Sequence, residues 1–333
     1  MKVEKFSVGI DISKDFLDCI IGFYPTGDAI KFSKVKRFKN CIDGFEDLLG
    51  WVEKGRNSSK ILFVMEATGV YYENLAYWLS GRDLSLAVIL PNKVNHFSKS
   101  HNFKTKTDNV DAQILSRMGL ERRLDRWQVP SPQMREIKFL TREYRDLKSK
   151  LVCAKNQLHA KTTAYKCPKS LQKRLKRQIK MLEKQVLEVE AELRITVMED
   201  DALADQVERI ESIPGVSFMT IICILGETDA FALIRNSKQL VSYCGLDIQH
   251  HQSGNTEGKQ RVSKKGNSYI RSALYMPALS ALQHNPDLKI FYNRLVDKNK
   301  LKKKAVTAVA RKLLILIYVL WKNNSEFEYN YAN

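Results

Sequence analysis

The sequence lacks any long apolar run. Its most hydrophobic late stretch, Leu313 to Trp321 (LLILIYVLW), falls far short of the roughly 20 residues needed to span a bilayer, so no membrane partner is expected. The N-terminus offers no signal peptide, because its apolar segment is broken by Asp11 and no small-residue cleavage site follows. Six cysteines are scattered without a C-x-x-C pair, which excludes zinc spacing and a disulfide framework and fits a reducing cytoplasm. Internal repeats and low-complexity tracts are missing too. Acids are in deficit, with 37 Asp and Glu against 55 Lys and Arg, a formal net charge of +18. A surplus of that size points to a polyanionic partner, nucleic acid ahead of an anionic membrane surface.

What is present suffices for more than one core. The chain has 333 residues, 44% of them hydrophobic, which suggests two domains or two with a connector. Phe6 to Ile12 (FSVGIDI), Phe16 to Tyr24 and Ile30 to Phe38 read as three strands of an antiparallel meander. A helix over Ile42 to Glu53 follows, then a strand Ile61 to Met65, a helix Tyr71 to Leu79 and a strand Ser85 to Leu90. Pro91 suits the first turn of a further helix, and another runs from Asn109 to about Leu120. Three antiparallel strands, then alternating helices and strands, is the order of an RNase H-like α/β fold, assigned to residues 1–129.

Pro130-Ser131-Pro132 marks a boundary. Between Met134 and about Glu199 the only proline is Pro168, and Leu175, Ile179, Leu182, Val186, Val189 and Leu193 recur three or four apart. This predicts two long helices broken near Cys167-Pro168, forming a connector at residues 130–203. The connector reads as a solvated spacer or as a coiled coil that grips nucleic acid or pairs two chains. Residues 204–333 read as helical with short Gly-containing turns.

Five residues stand out for chemistry. Asp11 interrupts the apolar strand VGIDIS, and a buried carboxylate needs a cation, a metal or hydrogen-bond donors. A structural, hydrogen-bonded aspartate is an equal reading of that strand alone. Sugar kinases and actin-like ATPases use a similar Gly-x-Asp strand, but the later Gly-rich phosphate and adenosine loops are missing here. Glu66 ends the strand ILFVM, where α/β folds place chemistry, though alone it reads as an acid favoured by a helix N-terminus. Asp108 and Asp111 share a face at a helix start, and alone read as an N-cap and a first-turn acid. Together the four are the set needed for two divalent cations, their hard oxygens suiting Mg²⁺. Two such ions about 4 Å apart can clamp the attacking and leaving oxygens of a phosphodiester. Lys99, Lys104 and Lys106 would bring a phosphate backbone to them.

Ser253 lies in HHQSGNTEGKQRVSKKGNSYIR, where Lys259, Arg261, Lys264, Lys265 and Arg271 make an anion-binding stretch. By itself a serine in a polar loop is usually just solvated, and His250 and His251 read as bases or as surface residues. Val207 to Gly226 reads helix, Ile-Pro-Gly-Val, helix. This is similar to a helix-hairpin-helix, whose turn at Gly215 would offer backbone amides to a phosphate; the alternative is an ordinary tight turn between helices.

VGIDISK, MEATGVYYENLAYWL and KTDNVDAQILSRMG resemble the amino-terminal half of the insertion sequence 110 family of bacterial transposases, called DEDD after their four acids. IPGVSFMTIICILGE, LVSYCGLDIQHHQSG and RVSKKGNSYIRSALYMPALSA resemble its carboxyl-terminal half, so nearly the whole chain is covered in order. The resemblance implies that Asp11, Glu66, Asp108 and Asp111 bind metal, two Mg²⁺ ions for which Mn²⁺ can substitute. It puts the serine of the family's Gln-Ser-Gly element on Ser253, with Ser263 close by. It further implies an RNase H-like, RuvC-like nuclease domain, a coiled coil and a helical transposase domain, and strand exchange through a phosphoserine link. The implied partners are double-stranded donor and target DNA, a structured guide RNA encoded by the element, and further copies of the chain in a dimer or tetramer. A helix rises about 1.5 Å per residue, so a connector this long leaves two arrangements for bringing serine and acids together. Either it folds back as a hairpin at Cys167-Pro168, or the serine serves the acids of a neighbouring subunit with the leucine-rich seam as the pairing surface, the second being favoured. A junction resolvase in which water attacks is the alternative enzyme, and a non-catalytic nucleic-acid-binding protein the alternative class.

The charge generates a first prediction. Affinity for a duplex DNA probe, measured across salt concentrations, is expected to fall with a log–log slope of roughly −0.9 per phosphate neutralised. An affinity that stays flat between low and physiological salt contradicts it.

Overall fold

The computed structural model describes residues 5–25, 29–54, 56, 60–101, 108–232, 234–249, 252–253, 256–257 and 261–329. The chain divides into two compact units, Met1–Val129 and Pro130–Asn333. Among the described residues no helix is long and apolar enough to cross a membrane.

The first unit is α/β. Its strands are β1 (Phe6–Ile12), β2 (Phe16–Phe23), β3 (Lys31–Phe32), β4 (Lys36–Lys39), β5 (Ile61–Glu66) and β6 (Leu86–Ile89). Its helices are α1 (Ile42–Glu53), α2 (Glu73–Ser80), α3 (Pro91–Ser100) and α4 (Asp108–Glu121). The sheet order is β3-β2-β1-β5-β6, with β4 also on β2; β1 runs antiparallel to β2 and parallel to β5. Alternation along the strands sorts residues to two faces. Val8, Ile10, Phe63 and Met65 pack with Phe45 and Leu48 of α1 and Leu75 and Leu79 of α2. The opposite face is built for close approach. A Cβ at Gly9 would overlap the Ala112 carbonyl oxygen and the Ser116 amide nitrogen, and one at Gly119 would overlap the Ser7 hydroxyl. The Ser116 hydroxyl also donates to the Ser7 carbonyl at 2.9 Å. Small residues on both surfaces therefore seat α4 directly on β1.

The single strand expected over Ile30 to Phe38 is instead two pieces. Ser33 takes over the ladder at the break: its N–H donates to the Ile21 carbonyl (2.8 Å), and its hydroxyl oxygen accepts the Ile21 N–H (3.0 Å). The register on β2 then shifts by one residue between β3 and β4, as a β-bulge requires.

The second unit opens with α5 (Pro132–Thr163) and α6 (Lys169–Met198), a long antiparallel hairpin. Gln133 donates to the Thr196 carbonyl (3.0 Å) near one end, and Gln172 to that of Lys161 (3.4 Å) near the other, with a Lys155–Glu183 ion pair (2.8 Å) between. Ile179, Leu182, Val186, Val189 and Leu193 are buried in one core with Leu147 and Leu151. The seam that the sequence offered to a second chain is thus covered by α5 of the same chain, because the short turn at 164–168 folds the connector back on itself. That core continues without a break into the remaining helices, reaching Leu320.

These helices are α7 (Asp201–Glu211), α8 (Phe218–Thr228), α9 (Ser237–Tyr243), α10 (Ser268–Ala273), α11 (Tyr275–His284), α12 (Pro286–Asn299) and α13 (Lys302–Asn323). The helical reading of this region overlooks two short antiparallel pairs. One joins β7 (Ile248–Gln249) to β10 (Arg261–Val262), the other β8 (Gln252–Ser253) to β9 (Thr256–Glu257). The pair Ser253↔Thr256 encloses Gly254-Asn255, a dipeptide that signals a hairpin.

Two alanine substitutions test the seating of α4. Gly9→Ala is expected to lower stability by about 3 kcal/mol, since backbone rather than a movable side chain meets the new methyl. Gly50→Ala in α1, where nothing lies within 4 Å, is expected to be neutral or stabilising by about 0.5–1 kcal/mol. Urea unfolding of both variants reads the difference, and equal midpoints contradict the packing account.

Candidate active site

Asp11 is the penultimate residue of β1 and Glu66 the last of β5. The parallel ladder pairs Gly9 with Val64 and Ile10 with Met65, so the next step brings Asp11 level with Glu66. By alternation Asp11 shares the face of Gly9, and Glu66 that of Val64, which packs with Ile114, Leu115 and Met118 of α4. Asp111 directly precedes Ala112, whose carbonyl meets Gly9. The first turn of α4 and the carboxyl ends of β1 and β5 therefore meet at one end of one face. Asp11, Glu66 and Asp111 are each partly buried. One Glu66 oxygen accepts a hydrogen bond from the Thr68 hydroxyl at 3.0 Å. Asp108 opens α4, and its side chain lies outside the described residues. Among the described residues no three Asp, Glu, His or Cys side chains form a group ready to hold an ion. The donor set itself fits a hard divalent cation, being made only of carboxylates.

Sequence reasoning missed a carboxylate beside this set. Asp18 of β2 stands opposite Asp11 in the antiparallel ladder and is 7% exposed. Arg37, brought opposite it by the bulge, grips both its oxygens at 2.9 and 2.8 Å. This pairing leaves Asp18 with its own cation. The signal was the same as for Asp11, an acid inside an apolar strand. Burial pushes the neighbouring Cys19 thiol well above its ordinary range, and the charges of Asp18 and Asp11 push it further. Burial also raises Cys223 and Cys244 to about 12, so none of these three thiols is a nucleophile near neutral pH.

Ser253 lies on β8 of the second unit, with its side chain outside the described residues; Lys259, His250 and His251 of that unit, and Lys104 and Lys106 of the first, lie outside them entirely. The Ser263 hydroxyl oxygen accepts the Lys265 N–H at 3.2 Å. Arg261, Lys264 and Lys265 are exposed, as is Lys99 on α3. Arg271, placed by the sequence in the anion-binding stretch, also has a structural task. One of its terminal nitrogens donates to the Cys244 and Gly266 carbonyls at 2.7 and 2.9 Å, which fastens the loop after β10. Gly215 has φ of +92°, and a Cβ there would come within 2.7 Å of the Ala281 amide nitrogen. Close packing of α11 is thus sufficient reason for that glycine.

The loop after β10 is anchored by a second acid that the sequence reading passed over. The Glu227 side chain, 1% exposed at the end of α8, takes Arg142 of α5 bidentately (2.6 and 3.0 Å) and also accepts from Asn267 at 2.7 Å. Asn267 in turn caps α10 by accepting the Tyr269 and Ile270 amides. Arg142 and Arg145 both lie against the Tyr269 ring, 4.4 and 4.5 Å from its centre.

Two family models match the chain. One, described as a transposase of the insertion sequence 110 DEDD type, covers residues 8–166; the other, the transposase IS116/IS110/IS902 family, covers residues 207–293. The chain is similar to the pilin gene-inverting protein of Moraxella lacunata, 27% identical over 332 residues and 98% of both chains. It is equally similar to that of Moraxella bovis, 27% identical over 329 residues and 98% of both. A shorter match, 29% identical over 116 residues, reaches the transposase for insertion sequence element IS1111A of Coxiella burnetii and covers 34% of this chain and 32% of the relative.

The Glu227 cluster makes a prediction about stability. Glu227→Ala strands Arg142 and unties the α10 cap, and is expected to cost on the order of 2–3 kcal/mol. The lower figure reflects Arg142, whose 38% exposed side chain can regain water. Chemical denaturation checks this, and a loss below 0.5 kcal/mol, on the order of an exposed pair, would show that the cluster is not structural.

Proposed function

The chain belongs to the insertion sequence 110 family of transposases, enzymes that act on DNA, and from that premise we propose a reaction in which four carboxylates and one serine cut and rejoin DNA strands. A DEDD nuclease domain implies an RNase H-like fold and the use of divalent metal. In our reading Asp11, Glu66, Asp108 and Asp111 would hold Mg²⁺, two ions being the number that four carboxylates suit. Bound there, the metal would offset charge building on the phosphate oxygens during exchange.

The chain's own residues then carry the chemistry. The Ser253 hydroxyl oxygen attacks the scissile phosphorus. Its O–P bond forms as the bond to the 3′ oxygen breaks, and that oxygen leaves with the proton. The phosphate remains on the serine as an ester. A 3′ hydroxyl from the partner strand next attacks the same phosphorus, displaces Ser253 and returns its proton. One ester replaces another at each step, so no external energy source is required. The reading carries donor and target duplex DNA, a structured RNA that pairs with both, and a homo-oligomer of the chain.

The observation that supports this most is the shared face of Asp11, Glu66 and the first turn of α4, at the strand ends where α/β folds place chemistry. The test is cleavage of element-end DNA with denaturing capture of protein–DNA adducts. Asp11→Asn is expected to keep its fold and lose cleavage by at least about a thousandfold, on the scale of a lost catalytic group. Ser253→Ala should form no adduct. Full cleavage by Asp11→Asn would falsify the metal reading, and cleavage without an adduct in the native protein would transfer the attack to water.

A further inference from the structure

A groove of about 350 Å³ in the second unit lies between the β7–β10 pair and the first turns of α13. Leu246 and Leu295 contribute an apolar floor. Arg261 from β10 and Lys303, Lys304 and Arg311 from α13 supply four cations, and no acid lines it. Among the described residues none of these four makes an ion pair. Their placement works against the helix itself. Lys302, Lys303 and Lys304 fill the first turn of α13 with no acid among them, at the end where the helix dipole repels positive charge. Among the described residues no acid in that turn or in the groove lining offsets that cost, whereas a bound polyanion would.

We propose that this groove binds a phosphodiester backbone of DNA and delivers it to the serine. The inference rests on the assignment of Ser253 as nucleophile. Four cations around an apolar floor suit a strand whose phosphates lie on the rim and whose sugars lie below it. The connection to the chemistry is short. β7 ends at Gln249, four residues before Ser253, and an extended chain gains at most about 3.6 Å per residue. The serine backbone is therefore held within roughly 14 Å of the groove wall, about four nucleotides at a rise of 3.4 Å per strand. The β7–β10 pair thus serves both as one wall of the groove and as the base of the segment that bears the nucleophile.

The test is fluorescence anisotropy of the full chain with a labelled DNA duplex and, separately, a labelled RNA hairpin, over a series of salt concentrations. The triple variant Lys303→Ala/Lys304→Ala/Arg311→Ala is expected to bind DNA at least tenfold more weakly. Its salt slope should be shallower by about 2–3, close to 0.9 for each phosphate that is no longer neutralised, with RNA affinity unchanged. Arg261→Ala, outside any helix, gives the same reading with a smaller loss of about threefold and covers the case in which the triple variant does not fold. Native DNA affinity and slope in these variants overturn the proposal, and so does a loss confined to the RNA probe. Ser253→Ala separates this from the reaction: it should bind DNA as tightly as the native chain and form no adduct. If it still forms the adduct, the nucleophile assignment falls, while the affinity of the groove variants continues to judge the groove.

Discussion

The first unit depends on one close contact, the seating of α4 against β1 at Gly9. No side chain other than hydrogen fits between the strand and the Ala112 carbonyl. Because Asp11 follows two residues after Gly9 and Asp111 stands just before Ala112, the contact that closes the core also aligns acids from two elements far apart in sequence. The same small-residue interface continues through Ser7, Ser116 and Gly119, so the helix is held along its length rather than at one point. A site built on such packing is rigid, which is what oxygen ligands need if they are to hold a cation in a fixed geometry.

The second unit uses a buried charge for a comparable purpose. Glu227 gathers α5, α8 and the cap of α10 around one carboxylate, and the loop that leaves β10 ends on it through Asn267. The serine segment therefore emerges from a base fixed on both sides, by Arg271 on the backbone carbonyls of Cys244 and Gly266 and by Asn267 on Glu227. Burying a charge rarely adds stability over an apolar residue, but it does specify a single arrangement of its partners. That specificity suits the role proposed for Ser253, since a nucleophile must be aimed.

Much of this was legible beforehand, and the failures have physical causes. Strong alternation in FSVGIDI and the apolar run ILFVM announced β1 and β5, and the leucine spacing announced α6. The break in the third strand was invisible because it hangs on one hydroxyl, that of Ser33, replacing a ladder partner. The seam of α6 left both a hairpin at Cys167-Pro168 and a second chain open, with the second chain favoured, because an apolar stripe does not state what covers it. Asp18 and Glu227 were missed because their partners, Arg37 and Arg142, stand 19 and 85 positions away. The short β pairs around Ser253 offer two residues each, too few for a period to register. The acids proposed as metal ligands were picked out by their motifs, while the common face of Asp11 and Glu66 became visible only with the ladder between β1 and β5 in hand.

The carboxylates at the ends of β1 and β5 and in the first turn of α4 are proposed to form a divalent metal site. Titration of the full chain with Mn²⁺, followed by electron paramagnetic resonance of the free ion, tests it without reference to activity. The account predicts saturable binding of about two ions per chain, the number a two-metal site requires. It also predicts that Glu66→Gln weakens this binding at least tenfold. Binding that is absent from the native chain, or that survives unchanged in Glu66→Gln, contradicts it.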